Sequence, residues 1–394
     1  MKRIIGIVVL LALANVVCAE MAPEEEWGKT FGGTDYDRSY SVQQTSDGGY
    51  IIAGTTESYG AGNGDFWLVK TDSNGNKQWD KTFGGTNIDG ASSVQQTSDG
   101  GYILAGYTGS YGAGNFDFWL VKTDSEGNKE WDRTFGGTSR DEAYSVQQTS
   151  DGGYIITGST EIGGYDFWLV KTDSNGNKQW NATFGGISWD VAHSVQQTSD
   201  GGYILAGNTY SYGAGRSDFW LVKTDSDGNK QWDKTFGGTG RDEAYSVQQT
   251  SDGGYIIAGF TESYGAGFTD AWLVKTDSEG NKVWDKTFGG ANNDRAHSVQ
   301  QTSDGGYILA GHTMSYGAGN RDFWLVKVGS APTPTPFTTP APSVTVLDCS
   351  PSPIHGGEDL DVHVRWANIP ADWKLVVSLE KAEWDKTRLA DDVS

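Results

Sequence analysis

Hydrophobic and polar positions recur along most of this chain in a unit of about 52 residues. In the second copy, Tyr102–Gly106 and Asp117–Lys122 carry apolar side chains on both alternating faces, which is typical of strands covered on both sides. The segment Ser93–Thr97 has small and polar side chains, which favours a strand near a crowded, wet axis. The segment Trp79–Phe83 mixes aromatic and charged residues, as in an outer strand whose charges discourage edge pairing. Each copy therefore predicts four strands.

Turn-forming residues separate these strands. The sequences Ser-Asp-Gly-Gly at 98–101 and Asp-Ser-Asn-Gly-Asn at 72–76 tolerate positive φ and predict tight hairpin turns. The six copies start near Trp27, Trp79, Trp131, Trp180, Trp232 and Trp284. A twisted four-stranded sheet repeated six times predicts an all-β fold, a six-bladed β-propeller over residues 20–330. A linear solenoid is the alternative, but it would need atypical capping repeats, and the sequence has none.

The phase of the repeat predicts how the ring closes. The repeats begin with an outer strand at Trp27–Phe31 and end after a third strand at Asp322–Val328, so the last copy has no outer strand after it. We expect the N-terminal strand to complete the sixth blade and close the propeller.

The repeat landmarks are nearly invariant. In the second copy they are Phe83-Gly-Gly, Asp89, Asp99-Gly-Gly-Tyr102, Gly106, Thr108, Ser110, Asp117, Trp119, Lys122, Asp124, Gly127 and Trp131. This pattern resembles the kelch-like β-propeller repeats of secreted bacterial and archaeal surface proteins, which often precede Ig-like or PKD-type modules. The resemblance covers about three quarters of the chain and implies an extracellular binding or scaffolding role. It supplies no ligand and no catalytic residues.

Variation between copies concentrates in the loops at one end of the predicted propeller, and loops on a rigid frame often carry recognition residues. The candidate ligand-binding residues at this end are Tyr36, Tyr40, Arg140, Tyr144, Trp189, His193, Arg241, Tyr245, His297 and His312. Aromatic and arginine side chains are typical of recognition surfaces. The alternative is drift at exposed positions of a duplicated repeat. The third copy is also three residues shorter at Thr160–Asp166, which predicts a notch in the rim.

Two rings of aspartates recur, exemplified by Asp89 and Asp117. We expect them to accept backbone N–H bonds and fix turns; Ca²⁺ ligation is the alternative and would require six or more converging oxygens. No pair of histidines has metal-ligand spacing, and no nucleophile or phosphate-binding motif is present. We therefore expect no cofactor and no catalysis. A propeller enzyme acting on extracellular polysaccharide and a structural surface-layer spacer are the alternatives.

The net charge and the N-terminal sequence indicate where in the cell the protein acts and which classes of partner it can bind. The net charge of −22 argues against a nucleic-acid partner, because phosphate binding needs a basic footprint. Residues 1–19 predict a secretory signal peptide, with a charged start, an apolar run and small residues before Glu20. Lipidation of Cys18 is the alternative to removal of residues 1–19 as a signal peptide. If residues 1–19 are removed, Cys349 is the only remaining cysteine, so we expect no internal disulfide. We expect a secreted or surface-attached monomer, with no integral membrane segment after signal removal, whose partner is a glycan or a cell-surface protein.

The sequence changes character after the repeats. Residues 331–342 are rich in proline and threonine and predict a stiff linker. Residues 343–394 contain three strand-like segments and predict an Ig-like β module. A complete Ig-like sandwich needs about seven strands and ~100 residues, so we expect this module to be truncated.

Overall fold

The computed structural model describes residues 27–161, 164–317 and 320–329, and beyond them the backbone of four strands in the C-terminal unit. The predicted signal peptide and the proline-rich linker lie outside these residues. The chain divides into two units, Met1–Gly329 and Ser330–Ser394. The described residues contain no helix long and apolar enough to cross a membrane.

The first unit is a six-bladed β-propeller. Blades 1 to 3 comprise β1 (Asp37–Gln44), β2 (Tyr50–Thr56), β3 (Asp65–Thr71), β4 (Lys77–Phe83), β5 (Asp89–Gln96), β6 (Tyr102–Thr108), β7 (Asp117–Thr123), β8 (Lys129–Phe135), β9 (Asp141–Gln148), β10 (Tyr154–Glu161), β11 (Tyr165–Thr172) and β12 (Lys178–Phe184). Blades 4 to 6 comprise β13 (Asp190–Gln197), β14 (Tyr203–Thr209), β15 (Asp218–Thr224), β16 (Lys230–Phe236), β17 (Asp242–Gln249), β18 (Tyr255–Thr261), β19 (Asp270–Thr276), β20 (Lys282–Phe288), β21 (Asp294–Gln301), β22 (Tyr307–Thr313) and β23 (Asp322–Val328). All neighbouring strands within a blade are antiparallel, and blade 6 has three strands among the described residues.

The burial of the strands follows the predicted pattern. Every residue of β7 is buried, and β6 is buried except at Tyr107, because both faces of these strands meet neighbouring blades. The inner strand β5 is mixed, and the outer strand β8 is largely solvent-facing. Local apolar patterning thus fixes the order of strands from the axis to the rim.

Aromatic side chains join one blade to the next. The ring of Phe118 in blade 2 packs on Trp168 in blade 3 with 4.5 Å between ring centroids, and both side chains are buried. Equivalent pairs with separations of 4.5 to 4.7 Å are Phe66–Trp119, Phe167–Trp220 and Phe219–Trp272. Blade 5 has Ala271 at this position. Burial of such large rings supplies much of the stability at these four blade boundaries.

The bottom of the propeller is the end where the inner strands finish, and its turns are nearly the same in every blade. Lys122 is buried, and its ammonium group donates to the Thr123 carbonyl at 2.8 Å and pairs with Asp99 at 3.0 Å. Gly127 has φ of 78°, and a side chain there would meet the ring of Trp79 at 2.5 Å. The predicted hairpin turn is therefore present, and the tryptophan that packs on it belongs to the outer strand of the preceding blade.

The boundary between blade 6 and blade 1 differs from the other boundaries. Residues 27–36 form no strand, but Trp27 packs on Tyr50 at 5.7 Å, as Trp79 packs on Tyr102 at 5.8 Å. The Phe323 ring on β23 is fully exposed. A cavity of about 730 Å³ lies between these parts and is lined by Trp27, Trp67 and Phe323. Trp27 therefore makes the same contact with blade 1 that the outer-strand tryptophan of blade 1 makes with blade 2.

The second unit contains two antiparallel strand pairs. They are β24 (Ser343–Ser350) with β25 (Asp361–Ala367), and β26 (Val376–Lys381) with β27 (Asp385–Ala390). The strands β24, β25 and β26 overlap the three segments that the sequence predicts as β, at 344–348, 360–366 and 374–379, and β27 was not predicted.

Candidate functional site at the mouth of the central channel

The six inner strands surround a central channel. Its cavity of about 340 Å³ is lined in each blade by a valine and a glutamine, such as Val94 and Gln95 of blade 2. The Gln95 side-chain oxygen accepts the Gln148 backbone N–H of blade 3 at 2.6 Å, and the equivalent bond recurs at four other blade boundaries. The channel wall is therefore a nearly uniform frame that links blades 1 to 6.

One variable residue per blade sits at the upper mouth of this channel. In each inner strand the pairing register shifts at this residue, so it is the extra residue of a β-bulge. The six residues are Tyr40, Ser92, Tyr144, His193, Tyr245 and His297. A bulge releases a residue from strand pairing and re-aims its side chain. The repeat thus presents a variable side chain from an otherwise fixed strand.

Five of the candidate residues form a continuous aromatic ladder around the mouth. Ring centroids are 5.3 Å apart for Tyr144–His193, 5.1 Å for His193–Tyr245 and 5.2 Å for Tyr245–His297. His297 continues to His312, with 3.0 Å between Nε2 and Nδ1. Each of the four residues from Tyr144 to His297 comes from a different blade, so only the ring arrangement brings them together.

Two buried glutamates support the ladder. The Tyr144 hydroxyl donates to Glu142 Oε2 at 2.6 Å, and Arg140 Nε donates to Glu142 Oε1 at 2.8 Å. In blade 5, Tyr245 donates to Glu243 at 2.9 Å, and Arg241 donates to the same carboxylate. The two glutamates are 8% and 5% exposed. Sequence analysis missed them, although the sequence Asp-Glu-Ala-Tyr occurs in these two blades alone.

Burial and these contacts shift the pKa values of the tyrosine and histidine side chains at the mouth. Burial raises the pKa of Tyr144, and the charge of Glu142 raises it further, so the phenol keeps its proton. Burial lowers the pKa of His297 to about 4, with further lowering from His312 and Arg295. Burial also lowers the pKa of His193, whose Nε2 lies 3.0 Å from Asn208 Oδ1. At neutral pH the ladder consists of uncharged rings.

The remaining candidate residues lie outside the ladder. Tyr36 is 68% exposed, and Tyr40 is 58% exposed on blade 1. Trp189 is 60% exposed and packs against Tyr165 at 5.3 Å on the rim of blade 4. These residues are exposed and make no ring contact with the ladder among the described residues.

The recurrent aspartates act in the loops. Asp89 Oδ2 accepts the Gly85 N–H at 2.8 Å, and Asp117 Oδ2 accepts the N–H groups of Ala113 and Gly114 at 2.9 and 3.2 Å. These bonds agree with the predicted use of both rings in fixing turns. In the described part of the chain, no three His, Cys, Asp or Glu side chains converge in a way that could hold a metal ion.

Comparisons with known proteins give structural similarity alone. No family model and no curated protein matches the chain. A protein of unknown function from Dyadobacter fermentans is similar in structure, with a TM-score of 0.46 and 12% identity over 74% of this chain and 94% of that chain. The Pan2 WD40 domain of Neurospora crassa has a TM-score of 0.42 and 10% identity over 69% of this chain and 85% of that chain.

Proposed function

We propose that this protein is a non-catalytic binding or adhesion module that holds a glycan or a surface protein at the mouth of its channel. The aromatic ladder from Tyr144 to His312 carries the proposal. Planar side chains with few rotatable bonds provide contact area at a low entropic cost. Their polar edges add hydrogen bonds, so the ladder suits a ligand with both ring faces and hydroxyl or amide groups.

A binding screen tests this proposal. The propeller, residues 20–330, is screened for binding to glycans and to surface-protein extracts, with and without Ca²⁺. Binding at the mouth is lost in a Tyr144→Ala, Tyr245→Ala double variant and is kept in Val283→Ser, which changes an exposed residue of an outer strand. Binding that survives the double variant would place the ligand elsewhere.

A propeller enzyme acting on polysaccharide is the second candidate, because two buried carboxylates lie at the mouth. Each carboxylate is bound by an arginine and a tyrosine, and the raised pKa of Tyr144 and Tyr245 keeps both phenols protonated. A tyrosine nucleophile would need a phenol that loses its proton, and a general base would need a carboxylate that is not already bound by an arginine and a tyrosine. Turnover of any polysaccharide by the purified protein would overturn the non-catalytic proposal.

We further propose that residues 27–31 close the ring by pairing with β23. In blade 1, Leu68 of β3 pairs with Lys81 of β4, so the equivalent partners are Leu325 and Lys29. The packing of Trp27 on Tyr50 already holds this segment beside blade 1. In a chain without other cysteines, a Lys29→Cys, Leu325→Cys pair should form a disulfide and raise the melting temperature. Absence of the cross-link under oxidation would overturn this closure.

The extracellular location rests on the sequence and on the resemblance to secreted surface repeats. Expression with the native N-terminus should yield an exported protein that begins at Glu20. Retention inside the cell with an intact N-terminus would overturn it.

We also propose an Ig-like module at the C-terminus. The two antiparallel strand pairs between Ser343 and Ala390 support this proposal.

A further inference from the structure

The outer strand of blade 3 differs from the other described outer strands at two neighbouring positions. Strands β4, β8, β16 and β20 carry Asp-Lys-Thr or Asp-Arg-Thr, at residues 80–82, 132–134, 233–235 and 285–287. Strand β12 carries Asn-Ala-Thr at residues 181–183 instead. This is the only Asn-X-Ser/Thr sequence in the chain, and such a sequence is an acceptor for N-linked glycans when X is not proline.

The change from aspartate to asparagine removes contacts that the other blades keep. In blade 2, Asp132 pairs with Lys129 at 2.8 Å and accepts the Trp119 indole N–H at 3.1 Å. The equivalent ion pairs, also at 2.8 Å, are Lys77–Asp80, Lys230–Asp233 and Lys282–Asp285. Among the described residues, the Asn181 side chain makes no hydrogen bond, and the Trp168 indole N–H donates to no side chain. The fold therefore leaves the Asn181 amide unbound.

The two residues that define the acceptor sequence face solvent together. Asn181 and Thr183 are both exposed. The other face of β12, with Trp180, Ala182 and Phe184, is half-buried. Residues two apart in a strand point to the same side of the sheet. The amide and the hydroxyl therefore lie on one face that an enzyme can reach from outside the propeller.

The edge of blade 3 also lacks charges that the other outer strands carry. Strand β12 is at the edge of its four-stranded sheet. In the other blades, the aspartate and the lysine or arginine beside it place charges on this edge, and such charges discourage pairing with another strand. Asn181 and Ala182 replace both charges in blade 3, so Lys178 is the only charged residue of β12. A hydrated group attached at this place would protect the edge in their stead.

We propose that Asn181 is an N-glycosylation site and that the attached glycan covers the outer edge of blade 3. The Asn181 amide nitrogen forms a bond to the anomeric carbon of an oligosaccharide carried on a polyprenyl phosphate. The bond from that carbon to the phosphate oxygen breaks, and the amide nitrogen loses one proton. Glycan transfer to this sequence occurs on exported chains, so the site rests on the proposed extracellular location. Because β12 is the outermost strand of its blade, the glycan leaves the channel mouth open.

The test uses the full chain in a eukaryotic secretory host, with the host's own signal peptide in place of residues 1–19, so that export does not depend on those residues. The mass of the secreted protein should be increased by one glycan. Peptide N-glycosidase, which converts a glycosylated asparagine to aspartate, should convert position 181 and no other. A secreted, folded protein without a glycan would overturn the proposal. Glycosylation of this protein together with retention of the chain that has its native N-terminus would support the site and overturn the extracellular location alone.

Two changes at Thr183 test the assignment to Asn181 without altering the asparagine itself. Thr183→Ala removes the hydroxyl that the acceptor sequence requires and should abolish the increase in mass. Thr183→Ser keeps a hydroxyl and should keep the glycan. Thr183 is exposed, so both variants should fold, and thermal melts check this. A glycan that persists in Thr183→Ala, or that is lost in both folded variants, would overturn the assignment.

A matched change in blade 4 tests whether the structure of blade 3 favours the modification. Asp233→Asn creates the same acceptor sequence with Thr235, but position 233 is half-buried, and its side chain accepts the Trp220 indole N–H at 3.0 Å. The new amide can accept the same bond, so the fold should hold it, and position 233 should carry a glycan on a smaller fraction of molecules than Asn181. Peptide mapping of the variant measures both fractions. Equal or higher occupancy at position 233 would overturn the inference that exposure and a free amide select Asn181.

Discussion

Blades 2 and 3 have almost the same strands but different upper rims. In both blades the third strand carries the sequence Asp-Phe-Trp-Leu-Val-Lys, and a phenylalanine of the preceding blade packs on its tryptophan. In blade 2, Tyr111 covers Trp119, and Ser110 satisfies Asp89. In blade 3, no described residue makes the equivalent serine or tyrosine contact. The difference shows that the length of one loop can change the contacts of the upper rim without altering the sheet below it.

The largest expected effect comes from removing the tryptophans that the two blades share. Trp119→Ala should lower the free energy of unfolding by about 4 kcal/mol, as for other fully buried aromatic residues. Trp168→Ala should cost about 1 kcal/mol less, because no tyrosine of the described residues stacks on Trp168 and Asn181 replaces the aspartate that accepts the indole N–H in blade 2. Urea denaturation checks both values. Equal losses would contradict the difference between the blades.

Giving blade 3 the longer loop of blade 2 should remove most of that difference. In this loop-fill variant, residues 161–165 are replaced by the sequence of residues 109–116, which carries a serine and a tyrosine. The two hydroxyls and the ring should restore two hydrogen bonds and one ring contact, so the free energy of unfolding should rise by about 2 kcal/mol. The control is a loop of the same length with alanine and phenylalanine in place of the serine and tyrosine, which should gain less. A loop-fill variant less stable than the original chain would show that the short loop is itself better packed.

Removing the tyrosine hydroxyl of the longer loop in blade 2 should lower the free energy of unfolding by a smaller amount. Tyr111→Phe removes the bond from the phenol to the Gly84 carbonyl and should cost about 1 kcal/mol. The matched change Tyr165→Phe in blade 3 should cost less, because the Tyr165 ring packs on Trp189 and its hydroxyl makes no hydrogen bond to a described residue. Thermal melts of the two variants provide the comparison, and a larger loss for Tyr165→Phe would contradict it.

Acid should affect the bottom turns of both blades alike. Burial alone would raise the pKa of Asp151, but hydrogen bonds from Lys171 and Thr149 outweigh it and lower the pKa to about 2. The pKa of Asp99 in blade 2 is also lowered, by Thr97 and Lys122 against the effect of burial. A lowered carboxylate pKa stabilises the fold above its unfolded value of 3.8, and this stability is lost as pH falls from about 4 towards 2. Asp99→Asn in blade 2 and Asp151→Asn in blade 3 should therefore reduce the fall in the free energy of unfolding between pH 4 and pH 2 by similar amounts, as measured by urea denaturation at each pH. A reduction in only one of the two variants would contradict the equivalence of the bottom turns.

Much of the fold could be predicted from the sequence because its cues are local. The apolar segments predicted the buried strands, and the glycine- and aspartate-rich sequences predicted the turns. The candidate residues Tyr144, His193 and Tyr245 could be selected because they vary within a fixed repeat. Glu142 and Glu243 were missed, since their role depends on a tyrosine two residues away that turns back through a bulge.

The sequence by itself determined the period, the four strands per copy, the turns and the end of the propeller where the copies differ. Those features depend on side-chain alternation and backbone preferences within a few residues. Only the tertiary structure decided that Phe118 is buried and Phe323 is exposed, although each lies in a copy of the same sequence, Asp-Phe-Trp-Leu-Val-Lys. It likewise decided that Asp89 Oδ1 accepts a hydrogen bond from the Thr108 hydroxyl, whereas the buried Asp141 Oδ1 has no partner among the described residues. Burial and hydrogen bonding at these positions depend on what the neighbouring blade or loop supplies, and this neighbour is set by the geometry of the ring.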